Sequence, residues 1–185
     1  MKKTYENLLK AITGESLARN KYSFFAIKAR DEGYEGIARI FEETSGNEME
    51  HAERELEFLP EKTSVETAVE LAPVGSTLEN LRAAAEGEHH ETTAMYPDFE
   101  AVAREENEDQ IAGIFKEIGE VEEKHEERYL KLAELVEKKS VFAREEEIEW
   151  KCLNCGYIHK SKEAPEKCPA CGKPQGWYEP RSYNF

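Results

Sequence analysis

Two Glu-x-x-His pairs and two Cys-x-x-Cys pairs hold most of the chemistry available to this chain. Glu48-x-x-His51 and Glu122-x-x-His125 each set a carboxylate and an imidazole three residues apart. That is nearly one helical turn, so both side chains project from one helix face. Glu15, Glu88 and Glu91 add carboxylates to otherwise apolar helical stripes. A carboxylate in an apolar stripe is costly unless it is paired or binds a metal. Oxygen ligands joined by two imidazoles suit iron or manganese better than a thiol-seeking metal. Further along, Cys152-x-x-Cys155-Gly156 and Cys168-x-x-Cys171-Gly172 form two metal knuckles. Each Gly permits tight backbone geometry beside the metal. Four thiolates at this spacing make a tetrahedral site for zinc or a single iron. Alone it reads as a zinc ribbon; beside a redox-capable centre that needs electrons, iron is the better fit.

The elements that must position these residues are four helical stretches, about Tyr5–Arg30, Gly36–Leu59, Ser76 or Thr77 onward, and Glu108–Lys138. Pro97 is expected to kink or interrupt the third. Pro73-Val74-Gly75-Ser76 reads as a helix start. The inward seams are Tyr5, Leu8, Ile12, Glu15, Arg19, Tyr22, Ala26; then Ile37, Phe41, Thr44, Glu48, His51, Glu55, Phe58. The third is Leu78, Leu81, Ala84, Glu88, Glu91, Met95; the fourth is Ile111, Phe115, Ile118, Glu122, His125, Tyr129, Leu132, Val136. Each packs like a bundle seam and each is broken near its middle by Glu. Two Glu-x-x-His helices plus a Glu from each of the others is the ligand set of di-iron carboxylate bundles. Glu48 and His51 recur 74 residues later as Glu122 and His125, and Glu15 and Glu88 are 73 apart. The bundle therefore reads as a duplicated helix pair with one site at the interface. Tyr22 and Tyr96 are placed to hydrogen-bond ligating carboxylates or to serve as ordinary core tyrosines. His89 and His90 face away, and Glu55 lies too far along its helix to ligate.

With 25 Lys and Arg against 40 Asp and Glu in 185 residues, the net charge is −15. Nucleic acid and anionic membranes repel such a surface. No apolar run approaches the roughly 20 residues that span a bilayer. All four Cys fall between residues 152 and 171, a cluster that favours a metal site over a disulfide framework. A cytoplasmic location is expected. The organisation is read as a bundle over 1–139, a linker over 140–149 and a turn-rich module over 150–185, with Tyr157, Trp177 and Tyr178 as the module's small core.

These motifs, with Gly14-Glu15-Ser16-Leu17-Ala18-Arg19-Asn20 and Glu88-x-x-Glu91, resemble the rubrerythrins over essentially the whole chain. The resemblance implies an all-α, ferritin-like four-helix bundle with one long crossover and a small, metal-stabilised rubredoxin-like domain of strands and turns. It implies that Glu48 and Glu122 bridge two irons, with Glu15, Glu88 and His125 as further ligands. It also implies that one iron exchanges Glu91 for His51 on reduction, and that Cys152, Cys155, Cys168 and Cys171 hold a third iron. The activity implied is a non-haem peroxidase reducing hydrogen peroxide to water. Its electrons would come from rubredoxin or an NAD(P)H-dependent reductase, since no Gly-x-Gly-x-x-Gly is present to bind nucleotide. A homodimer or larger assembly is expected, with electrons crossing head to tail between subunits. The alternatives are a ferroxidase or iron-handling protein, and a zinc-ribbon protein with an incidental bundle site. Protein reconstituted anaerobically is expected to hold two irons in the bundle and one among the cysteines. Elemental analysis with a visible spectrum checks this: an oxidised iron–tetrathiolate centre is red and a zinc one colourless.

Overall fold

A computed structural model describes residues 2–60 and 62–183. Helices α1 (Lys3–Asp31) and α2 (Glu35–Leu56) form one antiparallel hairpin. After a crossover, α3 (Thr77–His90), a π-helical turn (Glu91–Met95) and α4 (Tyr96–Glu105) form one long arm, and α5 (Asp109–Glu137) returns beside it. This is the four-helix bundle with one long crossover.

The duplication goes deeper than the ligands. Thr4-Tyr5-Glu6-Asn7-Leu8 matches Thr77-Leu78-Glu79-Asn80-Leu81, and the hairpin turns match as Glu32-Gly33 and Glu106-Asn107. Gly33 and Asn107 both take positive φ, 84° and 60°, a region glycine and asparagine tolerate best. Glu106 accepts from the backbone N–H groups of Lys3 and Thr4 at 3.0 and 2.9 Å, and from the Thr4 hydroxyl at 2.6 Å. Glu32 accepts from the Thr77 N–H at 2.9 Å. The turn of each hairpin thus caps the first helix of the other. Such N–H groups have no partner within their own helix. At the start of α3, Ser76 and Glu79 also form a capping box, as the helix-start signature requires.

The seams of α2 and α5 pack as read. On α1 the phase differs: Ala11 and Ala18 are buried, whereas Ile12 is half-buried and Arg19 is exposed. Ala18 lies in the cluster that holds Ile37, Ala38 and Phe41 of α2, Ala11 in the one that holds Tyr96, Ile111 and Phe115 of α4 and α5, and the long Arg19 side chain turns to solvent. The third seam shifts by one residue after Glu91. Tyr96 is buried and Met95 only half-buried, because the π turn inserts an extra residue into the helical repeat. The break expected at Pro97 falls in the turn before it. A proline ring clashes with the carbonyl four residues back, here Thr93, and the Tyr96 N–H reaches the Glu91 carbonyl instead.

Behind the bundle, β1 (Ala143–Cys152), β2 (Ile158–Glu163) and β3 (Tyr178–Pro180) make an antiparallel sheet in the order β2-β1-β3. The segment read as a linker over 140–149 is therefore mostly strand. Its acidic run sits where the β1–β2 register shifts between Ala143 and Ile148, which leaves Glu145, Glu146 and Glu147 exposed. The module core is Trp150, Cys152, Ala164, Cys168 and Tyr178, with Tyr157 beside it. Trp177, expected in that core, instead faces the bundle. Its ring lies 5.8 Å from the Arg39 guanidinium and 4.1 Å from the Lys173 amine. Gly176 packs against the Gly33 backbone so closely that a Cβ would meet its carbonyl oxygen at 2.0 Å. Tyr34 stacks on Phe142 at 6.0 Å. The module therefore sits at the end of the bundle, on the α1–α2 turn.

Replacing Glu106 by Ala removes the cap of α1 and is expected to lower stability by about 1 kcal/mol, the usual worth of an N-cap. Hydrogen bonds from Thr4, its hydroxyl and then its N–H, hold the Glu106 carboxyl below the usual carboxylate range. Its contribution is thus present near neutral pH and lost as pH falls through the acid range. Denaturant titrations of wild type and Glu106→Ala at both pH values measure the difference, which shrinks in acid.

Candidate metal centre

At mid-bundle, Glu15 from α1, Glu48 and His51 from α2, and Glu122 from α5 offer ligand atoms all within 4.8 Å of one another. Glu48, Glu88 from α3, Glu122 and His125 form a second such group. Glu48 and Glu122 belong to both. His51 Nδ1 lies 2.9 Å from Glu122 Oε1, 3.0 Å from Glu48 Oε2 and 3.7 Å from Glu15 Oε2. His125 Nδ1 lies 2.7 Å from Glu122 Oε2 and 3.4 Å from Glu48 Oε1. All four of these carboxylates are buried.

Close approach here is mostly not hydrogen bonding. Glu15 Oε2, Glu48 Oε1, Glu88 Oε2, both oxygens of Glu122 and Nδ1 of His125 have no aligned partner among the described residues. Buried polar atoms are normally paired, and so many orphans converging on one place are the atoms two metal ions would satisfy. The remaining oxygens are held from outside. The Tyr22 hydroxyl donates to Glu88 Oε1 at 2.5 Å, and the Tyr96 hydroxyl donates to Glu15 Oε1. Each tyrosine serves the glutamate of the other half and leaves Oε2 to face the site. Of the two roles open to Tyr22 and Tyr96, both are filled: they are core residues and they bond the carboxylates.

Burial first, then neighbouring carboxylates, drives the Glu15 carboxyl well above its ordinary range, though His51 pulls the other way. Burial and the same crowding raise Glu88 well above it, and Glu91 to about 8. Burial also opposes charge on Glu48, but His125 and His51 outweigh it and draw Glu48 down to about 2. The imidazoles respond in kind. Burial opposes their charge, the carboxylates win, and His125 rises to about 9 with His51 raised further.

Glu91 stands outside both groups. Its Oε1 lies beside Gly14, 3.8 Å from where a Cβ would be. His89 and His90 are exposed, as read. Glu55 is fully buried and approaches the Tyr96 hydroxyl at 3.2 Å. Its seam position four residues past His51 signalled the burial, but sequence reasoning missed the Tyr96 contact.

In the module, the four Cys sulfurs lie within 4.8 Å of one another. The Gly156 and Gly172 N–H groups return to the Cys152 and Cys168 carbonyls at 2.9 and 2.8 Å, and both glycines have φ of 76°. The two knuckles are thus one motif used twice. Cys152 and Cys168 are buried, Cys155 and Cys171 exposed.

The rubrerythrin family model matches residues 6–133, and the model for the rubrerythrin rubredoxin-like domain matches residues 150–179. This chain belongs to the rubrerythrin family. It is 50% identical to the rubrerythrin of Porphyromonas gingivalis, over 99% of this chain and 92% of that one. It is 42% identical to the rubrerythrin of Nitratidesulfovibrio vulgaris, over 99% and 96%. Among solved structures, nigerythrin in a mixed-valence state superposes with a TM-score of 0.67 at 36% identity, over 98% of this chain and 88% of that one. The rubrerythrin architecture accounts for both ligand sets: a carboxylate–histidine site for two metals in the bundle and a tetrathiolate site in the module.

Because Glu122 belongs to both ligand groups, Glu122→Ala is expected to empty the bundle of both metal ions and leave the cysteine site loaded. Glu91→Ala is expected to keep all of them. Metal stoichiometry on anaerobically reconstituted protein checks both, and full bundle occupancy in Glu122→Ala would overturn the assignment.

Proposed function

We propose that this chain is a cytoplasmic non-haem peroxidase that reduces hydrogen peroxide to water at the bundle centre and is recharged through the cysteine centre. What carries the reading is the presence in one chain of a two-metal carboxylate site and a four-thiolate site. Iron is the metal proposed for both, as in the nigerythrin structures described as mixed-valence and all-ferrous. Glu48 and Glu122 would bridge the two irons. Glu15 and His51 would complete one side, Glu88 and His125 the other, with Glu91 exchanging for His51 on oxidation.

Iron held there would supply the two electrons that the reduction of peroxide consumes. The chain's own residues do the rest. Tyr22 and Tyr96 fix the orientation of Glu88 and Glu15, and the apolar clusters around them keep bulk water from the centre. A groove of about 500 Å³ lined in part by Lys10, Gly14, Leu17, Val69 and Met95 has Glu91 in its wall, which gives a small oxidant a way in. Storage of iron, the alternative for a ferritin-like bundle, needs no electron return and leaves the cysteine module without a use.

Electrons would enter from an external rubredoxin or NAD(P)H-dependent reductase and cross between subunits. Distance is the reason. The module rests on Gly33, and fifteen residues of chain separate Gly33 from Glu48. At about 1.5 Å rise per residue, that is roughly 20 Å, and tunnelling falls steeply with distance. A second chain in head-to-tail orientation would bring its own module beside the site. Residues 150–185 carry six Lys and Arg against three Glu in a chain of net charge −15, so a basic module would meet an acidic bundle.

Cys155→Ser is expected to keep peroxide oxidation of the pre-reduced bundle and lose multiple turnover with the donor. Mixed with Glu122→Ala chains under conditions of subunit exchange, it is expected to recover activity in one of the two sites of each heterodimer. No recovery in proven heterodimers would place the transfer within one chain, and no peroxide reduction by any loaded form would sink the peroxidase reading.

A further inference from the structure

Glu55 is a buried acid that neither ligand group uses. It lies one helical turn beyond His51 on α2, fully enclosed and outside both groups. Its Oε1 is 3.2 Å from the Tyr96 hydroxyl, and its Oε2 has no hydrogen-bond partner among the described residues. The same hydroxyl lies against Glu15 Oε1.

A phenol has one hydrogen and cannot donate to two carboxylates. With both ionised, one carboxylate oxygen would face the phenol oxygen with no hydrogen between them, a costly arrangement away from water. A carboxylate that ligates a metal is deprotonated, so Glu15 takes the Tyr96 hydrogen. Glu55 must then bring a hydrogen of its own. We propose that Glu55 is a neutral carboxylic acid that donates to the Tyr96 oxygen and so commits the Tyr96 hydrogen to Glu15, which makes it a positioning residue for the metal centre. Its protonation rests on this geometry, and only its effect on turnover rests on the peroxidase reading above.

The surroundings agree. The charged and titratable groups that act on Glu55 are His51 from its own helix, Tyr96 and Glu91 from the α3–α4 arm, and Glu122 from α5. Burial pushes its carboxyl up to about 8; Tyr96 and His51 pull the other way, and the two acids add to the rise. Without the donation, the phenol is a weaker donor to Glu15, because linked hydrogen bonds polarise one another. Glu15 Oε1 is then held less firmly by the one hydrogen bond it accepts among the described residues, and the carboxylate presents Oε2 to the site less rigidly.

Two substitutions on the iron-loaded protein separate the roles. Glu55→Gln keeps a donor for Tyr96 and loses the acid; Glu55→Leu loses both. Infrared spectra are expected to show a buried protonated carboxyl in wild type that vanishes in Glu55→Gln. The visible spectrum of the bundle centre and its single-turnover rate with peroxide are expected to stay near wild type in Glu55→Gln. In Glu55→Leu the spectrum is expected to shift and the rate to fall, by less than the roughly tenfold that losing a whole hydrogen bond would cost. Absence of the acid band, or a wild-type spectrum in Glu55→Leu, would overturn the proposal. Should Glu55→Leu fail to fold, Tyr96→Phe decides instead: the acid band must move when its acceptor is removed, and an unmoved band overturns the assignment. An acid band with the expected spectral changes in a protein that reduces no peroxide would retain Glu55's role and discard the peroxidase reading.

Discussion

Mutual repulsion among carboxylates enclosed at mid-bundle is the constraint around which this fold is arranged. Glu15, Glu48, Glu88 and Glu122 are shielded from water, and an uncompensated buried charge costs several kcal/mol. A hydrogen bond to a charged group returns only about 1.5–3 kcal/mol, so Tyr22 and Tyr96 cannot offset the whole penalty. The two imidazoles offset a further part, and metal ions of charge two each are what the orphaned oxygens still lack. Aromatic clusters close the site at both ends. Tyr22, Phe25, Phe41 and Tyr129 pack toward the module, and Tyr96, Phe99 and Phe115 pack toward the opposite end. They exclude water, and by doing so they raise the electrostatic demand that the metals meet.

Residues that are expensive to bury were legible in the sequence. Glu in an apolar seam, twice followed by His, pointed to the side chains that converge at mid-bundle and to the duplicated helix pair, and the cysteine spacing pointed to the two knuckles. Features that depend on small energies were not legible. The phase of α1 turns on whether Ala18 or Arg19 faces inward, and helical spacing alone permits both; the closeness of α2 decides it. The π turn changes the repeat without a composition of its own, apart from Pro97, whose effect appears one turn earlier than a simple helix break. Trp177 was read as core because aromatic residues usually are. Its place against Arg39 is set by the neighbouring Gly176, whose missing side chain lets two backbones touch.

That backbone contact fixes how the two metal-binding units share the work. The module docks on the α1–α2 turn and the end of α5, where Ile37, Ile40, Leu132, Leu135 and Val141 line the cleft beneath it. It is held as a cap on the bundle's end, with Cys155 and Cys171 exposed while the carboxylate group stays enclosed. One group lies at the surface of the module, the other inside the bundle.

The reciprocal caps carry a topological consequence. The opening turn of α1 is closed by Glu106, and that of α3 by Glu32 beside its own Ser76–Glu79 box, so each hairpin takes part of its first cap from the other. A lone hairpin would leave those N–H groups to water and its half-set of ligands facing nothing. The smallest closed unit is therefore a pair of hairpins, and the caps do not record whether the crossover links them in one chain or the partner hairpin comes from another. An ancestral half-length chain meets the same conditions as a dimer, and an exchange of hairpins between two modern chains breaks none of them.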